Sequence, residues 1–112
     1  MTRHATPYGA FCIEPMPSQP QIGLCHGFFV DHSLRGRGLG HELKQTQHEA
    51  LADGYYDYAI CTCDGANEAQ QRVLTAAGWL LLDHFESSRT GGKTQIWGRQ
   101  VVNTGPNTEE YL

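Results

Sequence analysis

The sequence predicts an α/β protein, with a mixed, mostly antiparallel sheet, a central parallel strand pair and two helices. Its apolar segments follow the order strand, strand, helix, strand, helix, strand, strand. A helix that separates two strands favours a parallel crossover, whereas short hairpin turns favour antiparallel pairing outside it. The length of 112 residues allows one compact domain. We expect that domain over residues 1–102, followed by a flexible polar tail over 103–112.

The first two predicted strands lie on either side of a proline-rich connection. Residues 8–14 form a short, largely apolar segment, and residues 22–30 are apolar enough for the interior of a sheet. Pro15, Pro17 and Pro20 stand between them, and proline lacks the N–H donor that a strand ladder needs. We therefore expect a turn-rich connection between these strands.

The first helix is predicted by apolar residues at helical spacing. Leu39, Leu43 and Leu51 recur along one stripe, while Lys44 lies off it with other polar residues. Gly54 favours a helix end, because glycine adopts a left-handed conformation without a Cβ penalty. The later predicted elements are a strand over 56–63, a helix over 66–77, strands over 79–86 and 94–102, and a hairpin turn over 87–93.

Composition limits the functional classes. The net charge of −4 and a pI near 5.8 argue against a nonspecific nucleic-acid-binding protein, which is usually basic. Every apolar run is shorter than the ~18 residues that span a bilayer, and the first residues lack the apolar core of a signal peptide. Four cysteines without an export signal favour free thiols, so we expect a cytoplasmic protein.

The most informative segment is a glycine-rich turn between the second strand and the first helix. Gly36, Gly38 and Gly40 let the backbone approach a ligand closely, and the N–H groups of such a turn can converge on it. The helix dipole and the charges of Arg35 and Arg37 add to this field, so a pyrophosphate fits there. The spacing matches neither the P-loop nor the dinucleotide fingerprint. A tight turn without a ligand is the alternative.

Two segments resemble a known family. Residues 35–40, Arg-Gly-Arg-Gly-Leu-Gly, match the Arg/Gln-x-x-Gly-x-Gly/Ala signature of the GNAT (GCN5-related N-acetyltransferase) superfamily, and an apolar strand ending at Val30 precedes them. Asn67–Trp79 resembles the family's second segment, which runs from an asparagine through a helix to Gly-Phe or Gly-Trp. The resemblance covers residues 8–102, and its end, from Trp79 to Trp97, is similar to short GNAT-like proteins encoded by phages.

The resemblance implies a cofactor and a reaction. The backbone of Arg35–Gly40 would hold the pyrophosphate of coenzyme A, and Phe28–Val30 would pair with its pantetheine arm like an added strand. The thioester would lie in a gap between that strand and Tyr58–Cys63. The implied function is an N-acyltransferase with acetyl-CoA as co-substrate and a small-molecule or protein amine as acceptor. The implied cofactor-binding residues are Phe28, Phe29, Val30, Arg35, Gly36, Arg37, Gly38, Leu39, Gly40 and Asn67.

The catalytic groups are only partly implied. In much of the family a tyrosine of the second helix protonates the departing thiolate, but here Leu74 occupies its place and cannot donate a proton. His26 is the candidate base, because a histidine that titrates near neutrality can take a proton from an amine. Period-two geometry predicts that His26 shares one strand face with Phe28 and Val30. A packed or solvent-facing histidine without a catalytic role is the alternative. Further candidates on neighbouring segments are Glu14, Asp31 and His32.

The four cysteines are expected to pack in the core, with no metal site. Cys61 and Cys63 should share one strand face, but their spacing differs from the Cys-x-x-Cys of zinc knuckles. Free cysteine is also among the most buried residue types. A metal site completed by Cys12 or Cys25 is the alternative.

Two further expectations concern assembly and the class of function. The segment before residue 22 is too short for the N-terminal elements of most GNAT proteins, and a truncated sheet leaves an edge that a second copy can cover. We therefore expect a homodimer. The alternative function is a noncatalytic GNAT-like interaction protein, of the kind that phages encode. A GNAT-like phage enzyme that modifies a nucleic-acid base is more distant, because the acidic charge counts against it.

Overall fold

The computed structural model describes residues 1–102, and its architecture confirms the predicted fold class. The elements are β1 (Thr2–Thr6), β2 (Gly9–Met16), β3 (Gln19–Val30), α1 (Leu39–Asp53), β4 (Tyr58–Asp64), α2 (Glu68–Ala76), β5 (Leu80–Glu86) and β6 (Lys93–Gln100). They form one sheet in the order β1-β2-β3-β4-β6-β5, in which β3 and β4 are parallel and the other neighbours are antiparallel. The predicted tail over 103–112 lies outside the described residues.

The strand β1 is absent from the sequence prediction, which has no element before residue 8. It pairs with β2 from Thr2↔Ile13 to Thr6↔Gly9. Its side chains are polar or small and mostly exposed, so hydrophobic alternation gives no signal for it. Instead, the Oγ1 of Thr6 donates to the carbonyl of Gly9 and accepts a hydrogen bond from its N–H, at 2.9 and 3.1 Å. A local side-chain hydrogen bond therefore fixes the turn that brings β1 onto the sheet.

The proline-rich connection is much shorter than predicted. β2 continues through Pro15, and β3 begins before Pro20, so the turn consists of Pro17 and Ser18 alone. Ser18 has a φ of +67°, the left-handed conformation that a tight hairpin turn requires. Pro15 is tolerated in a strand because β1 stops pairing at Ile13, so the strand there is an edge on one side.

The two faces of the sheet differ in what covers them. Both helices pack on one side, which we call the covered face, and the opposite side, the open face, carries the alternate residues of the same strands. Leu24, Ile60 and Ile96 lie at the centre of the open face and are partly exposed. The core of the covered face consists of Phe11, Ile13, Cys25, Leu43, Leu51, Ala59, Cys61, Cys63, Leu74, Trp79 and Trp97.

Neither helix of the described chain is long and apolar enough to cross a membrane.

Candidate functional site

The centre of the sheet opens into a gap, because β3 and β4 pair over only a short stretch. Their parallel register runs from Ile22↔Tyr58 to Leu24↔Ile60. Beyond Leu24, β3 stays paired with β2 as far as Val30 and diverges from β4. The edge of β3 that faces the gap therefore carries backbone N–H and C=O groups that an extended ligand can pair with.

A bulge in β3 changes the direction of its side chains at the gap. The register between β2 and β3 shifts here, and Gly27 has a φ of +62°, which favours glycine. His26, before the bulge, is exposed on the open face, whereas Phe28 and Val30 pack against the core on the covered face. The prediction that these three residues share one face is therefore wrong, because the bulge inserts one residue into the alternation.

The glycine-rich turn adopts a conformation that requires glycine. Gly36 and Gly38 have φ values of +81° and +76°, and a Cβ at either position would meet no atom of residues 1–102 within 4 Å. Gly38 is the N-cap of α1 and offers no side-chain oxygen to the N–H groups of the first turn. Gly40 lies against α2 instead, where a Cβ would be 3.5 Å from the Cγ2 of Val73. The turn thus presents backbone donors and the positive end of the α1 dipole to open space.

That space is a cleft of about 460 Å³ between the end of β3, the glycine turn and α2. Its size lies within the usual range for small-molecule sites. Arg37 is the one predicted cofactor-binding residue that falls outside the described lining of the cleft. The predicted residues that do line it are Phe28, Phe29, Val30, Arg35, Gly36, Gly38, Leu39, Gly40 and Asn67.

Two arginines supply positive charge to the cleft. The Nε of Arg35 donates a hydrogen bond to the carbonyl of Val30 at 3.0 Å, which ties the turn to the end of β3. Arg72 of α2 lines the opposite wall, and sequence reasoning missed it. The sequence signal for Arg72 is its place as a cation on the helix that Asn67 begins. The side chain of Asn67 caps that helix by accepting a hydrogen bond from the N–H of Gln70 at 3.1 Å.

A second cavity, of about 290 Å³, occupies the gap itself. Its lining comes from both faces of the sheet: His26 and Thr62 belong to the open face, while Lys44 and Gln47 come from α1 on the covered face. Phe28, Asn67 and Gln70 line this cavity and the cleft alike. The two spaces are therefore neighbours along one route from the glycine turn into the gap.

Lys44 is buried at the base of the gap, although it lies off the apolar stripe that predicts the helix. It is 2% exposed, and its Nζ lies 4.3 Å from the ring centroid of Phe28 and 4.6 Å from that of Trp79. The Nζ also donates a hydrogen bond to the Oε1 of Gln47 at 2.9 Å. Burial lowers the pKa of Lys44, and the nearby thiols of Cys61 and Cys25 oppose that change. Two aromatic faces and one amide oxygen thus replace water around the ammonium group.

The cysteines confirm the prediction of core packing in three of their positions. Cys25, Cys61 and Cys63 are buried on the covered face, while Cys12 is partly buried. Burial raises the pKa of Cys25 to about 12 and that of Cys61 to about 11, although Lys44 opposes both changes. These two thiols stay protonated near neutral pH, so they pack as small apolar groups rather than act as thiolates.

The candidate catalytic positions lie in different environments. His26 stands at the open-face mouth of the second cavity, with its Nε2 3.7 Å from the Oε2 of Glu14. Both side chains are more than 40% exposed, so a solvent-borne amine can reach them. Leu74 is 0% exposed and packs in the core, outside the residues that line the two cavities.

Comparisons with known proteins give a fold and no sequence family. No family model matches the chain, and no curated protein matches it in sequence. Solved structures do match. An acetyltransferase of the GNAT family from Streptococcus pneumoniae is 15% identical with a TM-score of 0.73, and covers 85% of this chain and 60% of its own.

Two further neighbours give the same result. A Bacillus subtilis acetyltransferase, solved in complex with CoA, is 13% identical with a TM-score of 0.74, covering 89% of this chain and 75% of its own. A GCN5-related N-acetyltransferase from Kribbella flavida is 17% identical with a TM-score of 0.72, covering 83% and 60%. The chain thus spans about 60% of the length of two of these three neighbours. Residues 1–102 have the α/β fold of the GNAT acetyltransferases.

Proposed function

We propose that the protein is an acyl-CoA-dependent N-acyltransferase that transfers an acetyl group from acetyl-CoA to an amine in the cytoplasm. One observation carries the proposal: the cleft at the glycine turn adjoins the cavity in the β3–β4 gap. An anion site and a slot beside unpaired strand backbone suit the two ends of coenzyme A, a pyrophosphate and an extended amide arm. The neighbour solved with CoA supports the same assignment.

The proposed cofactor position follows the route between the cavities. The pyrophosphate lies at the first turn of α1, near Arg35 and Arg72, where N–H groups and cations offset its charge. The pantetheine arm runs along the free edge of β3 from Val30 towards Phe28. Asn67 lines both cavities and lies beside the arm. The thioester then falls in the gap, within reach of both sheet faces.

The transfer step follows from this position. The amine nitrogen forms a bond to the carbonyl carbon of the thioester, the carbon–sulfur bond breaks, and the electron pair leaves on sulfur. His26 accepts the proton that the nitrogen loses, directly or through water, at the mouth of the cavity, and the Oε2 of Glu14 lies 3.7 Å from its Nε2. Because Leu74 is buried and apolar, the proton for the departing thiolate comes from protonated His26, relayed by water in the gap, which returns His26 to its starting form.

The first test is calorimetric titration with acetyl-CoA. The wild-type protein should bind with micromolar affinity, and Gly38→Glu should abolish binding, because it puts a carboxylate and a strained φ at the anion site. Gly91→Glu is the matched control: Gly91 also has a positive φ (+72°) and open space, but lies in the β5–β6 hairpin turn. Absent binding by the wild type, with an unshifted melting temperature, would refute the proposal.

A noncatalytic GNAT-like binding protein is the second candidate. The buried Leu74 in place of a proton donor favours it. Release of free thiol from acetyl-CoA in the presence of a panel of amines separates the two functions. Tight binding without any thiol release would leave the binding protein as the better assignment.

A further inference from the structure

The amide of Gln47 has one bonded end and one free end inside the protein. The side chain is 1% exposed, its Oε1 accepts a hydrogen bond from Lys44, and its Nε2 has no partner among residues 1–102. Buried N–H donors are almost always paired, and leaving one unpaired destabilises a fold. A free donor of this kind next to a cavity therefore indicates an absent acceptor.

Lys44 decides which end of the amide is free. A lysine ammonium group carries donors only, so it holds the Oε1 of Gln47 and leaves the Nε2 for another partner. The rings of Phe28 and Trp79 in turn hold the ammonium group. The donor is thus fixed in place before any ligand arrives, which reduces the reorganisation that binding requires.

Gln47 and Lys44 line the cavity in the β3–β4 gap, beside the backbone edge of β3. We propose that the Nε2 of Gln47 donates a hydrogen bond to the carbonyl oxygen of the acyl thioester, with Lys44 as its positioning residue. This inference rests on the proposed function. As the amine attacks, the carbonyl oxygen gains negative charge, and the amide donor and the ammonium group both stabilise that charge. The charge returns to form the carbonyl when sulfur leaves.

The test measures how one substitution changes the binding of two ligands. Gln47→Glu keeps the size of the side chain and an acceptor for Lys44 but removes the donor. Acetyl-CoA has the thioester carbonyl and CoA lacks it, while the rest of the two molecules is shared. Calorimetry should show about tenfold weaker acetyl-CoA binding to Gln47→Glu, with CoA affinity changed less than about twofold. Gln45→Glu is the control, because it makes the same change at an exposed position of α1.

The outcomes separate the two proposals. If the wild type binds neither ligand, the proposed function fails. If it binds both and Gln47→Glu weakens both equally, or neither, the thioester subsite is wrong while the proposed function stands. If Gln47→Glu does not fold, the carbonyl ¹³C resonance of labelled acetyl-CoA on the wild type decides. A downfield shift on binding supports the hydrogen bond, and an unchanged resonance overturns it.

Discussion

The covered and open faces of the sheet are built from alternate residues of the same strands, but their side chains differ in burial and in chemistry. The covered face holds the packed core and the one buried ammonium group of the described residues. The open face holds the exposed His26–Glu14 pair. The two faces meet in the β3–β4 gap, where a cavity has lining from both. Stability should therefore depend on one face and proton transfer on the other.

The largest effect should follow loss of packing on the covered face. Leu43 is 0% exposed, so Leu43→Ala should lower the free energy of unfolding by about 3 kcal/mol. Leu82→Ala, at a 48% exposed position of the open face, should cost less than about 1 kcal/mol. Urea unfolding at low protein concentration measures both. Equal costs would mean that the open face is as well packed as the core.

The second-largest effect should be on turnover, with stability almost unchanged. His26→Gln should lower kcat/KM for thiol release about 100-fold, because it removes a proton acceptor at the mouth of the gap. Stability should change by less than about 0.5 kcal/mol, since the histidine and Glu14 are both largely exposed and such pairs add little. Unchanged turnover would mean that His26 is a solvent-facing strand residue without a catalytic role.

The sequence predicts the covered face better than it predicts the gap. Leu43 and Leu51 have helical spacing, and the glycine turn has its own pattern, so α1 and its N-terminus follow directly. Lys44 and Gln47 have no such signal. A lysine beside an apolar stripe ordinarily faces solvent, and only the divergence of β3 and β4 beneath α1 gives it a polar cavity to reach.

Two local features also escape prediction, for a different reason. The strand β1 adds to the sheet through backbone hydrogen bonds, and its polar or small side chains, Thr2–Thr6, give no hydrophobic pattern that would predict it. The bulge at Gly27 reverses the side-chain alternation of β3. A single glycine in an apolar strand does not indicate where a bulge inserts its extra residue. As a result His26 could be named from the sequence, but its face could not.

The pH dependence of stability should report a buried thiol of the covered face. The pKa of Cys25 rises from 9.0 to about 12 on folding, so the native state keeps a proton that the unfolded chain loses. The stability from this group is complete below pH 9 and is lost as the pH rises towards 12, by about 1.4 kcal/mol per unit at most. The lowered pKa of Lys44 acts in the opposite sense.

Cys25→Ser removes this titration and leaves that of Lys44 in place. Urea unfolding of the two proteins on either side of pH 9 should therefore show a shallower alkaline decline in the variant. Parallel declines would mean that the thiol of Cys25 is not protonated in the native state above its ordinary pKa.

The smallest effect belongs to Asn67, which touches both the fold and the proposed ligand. Its side chain caps α2 through the N–H of Gln70, and it also lines both cavities. Asn67→Ala should lose about 1 kcal/mol of stability through the missing cap. Asn67→Asp keeps the capping oxygen, so its free energy of unfolding should stay within about 0.5 kcal/mol of the wild type.

The aspartate variant separates the two roles. It replaces the amide nitrogen that can donate to the arm of coenzyme A, and it adds a negative charge close to the anion cleft. CoA affinity should therefore fall although the helix remains capped, and the loss should diminish at high salt, which screens the added charge. If the aspartate variant binds CoA as the wild type does, Asn67 caps α2 but does not contribute to binding of the cofactor in the gap.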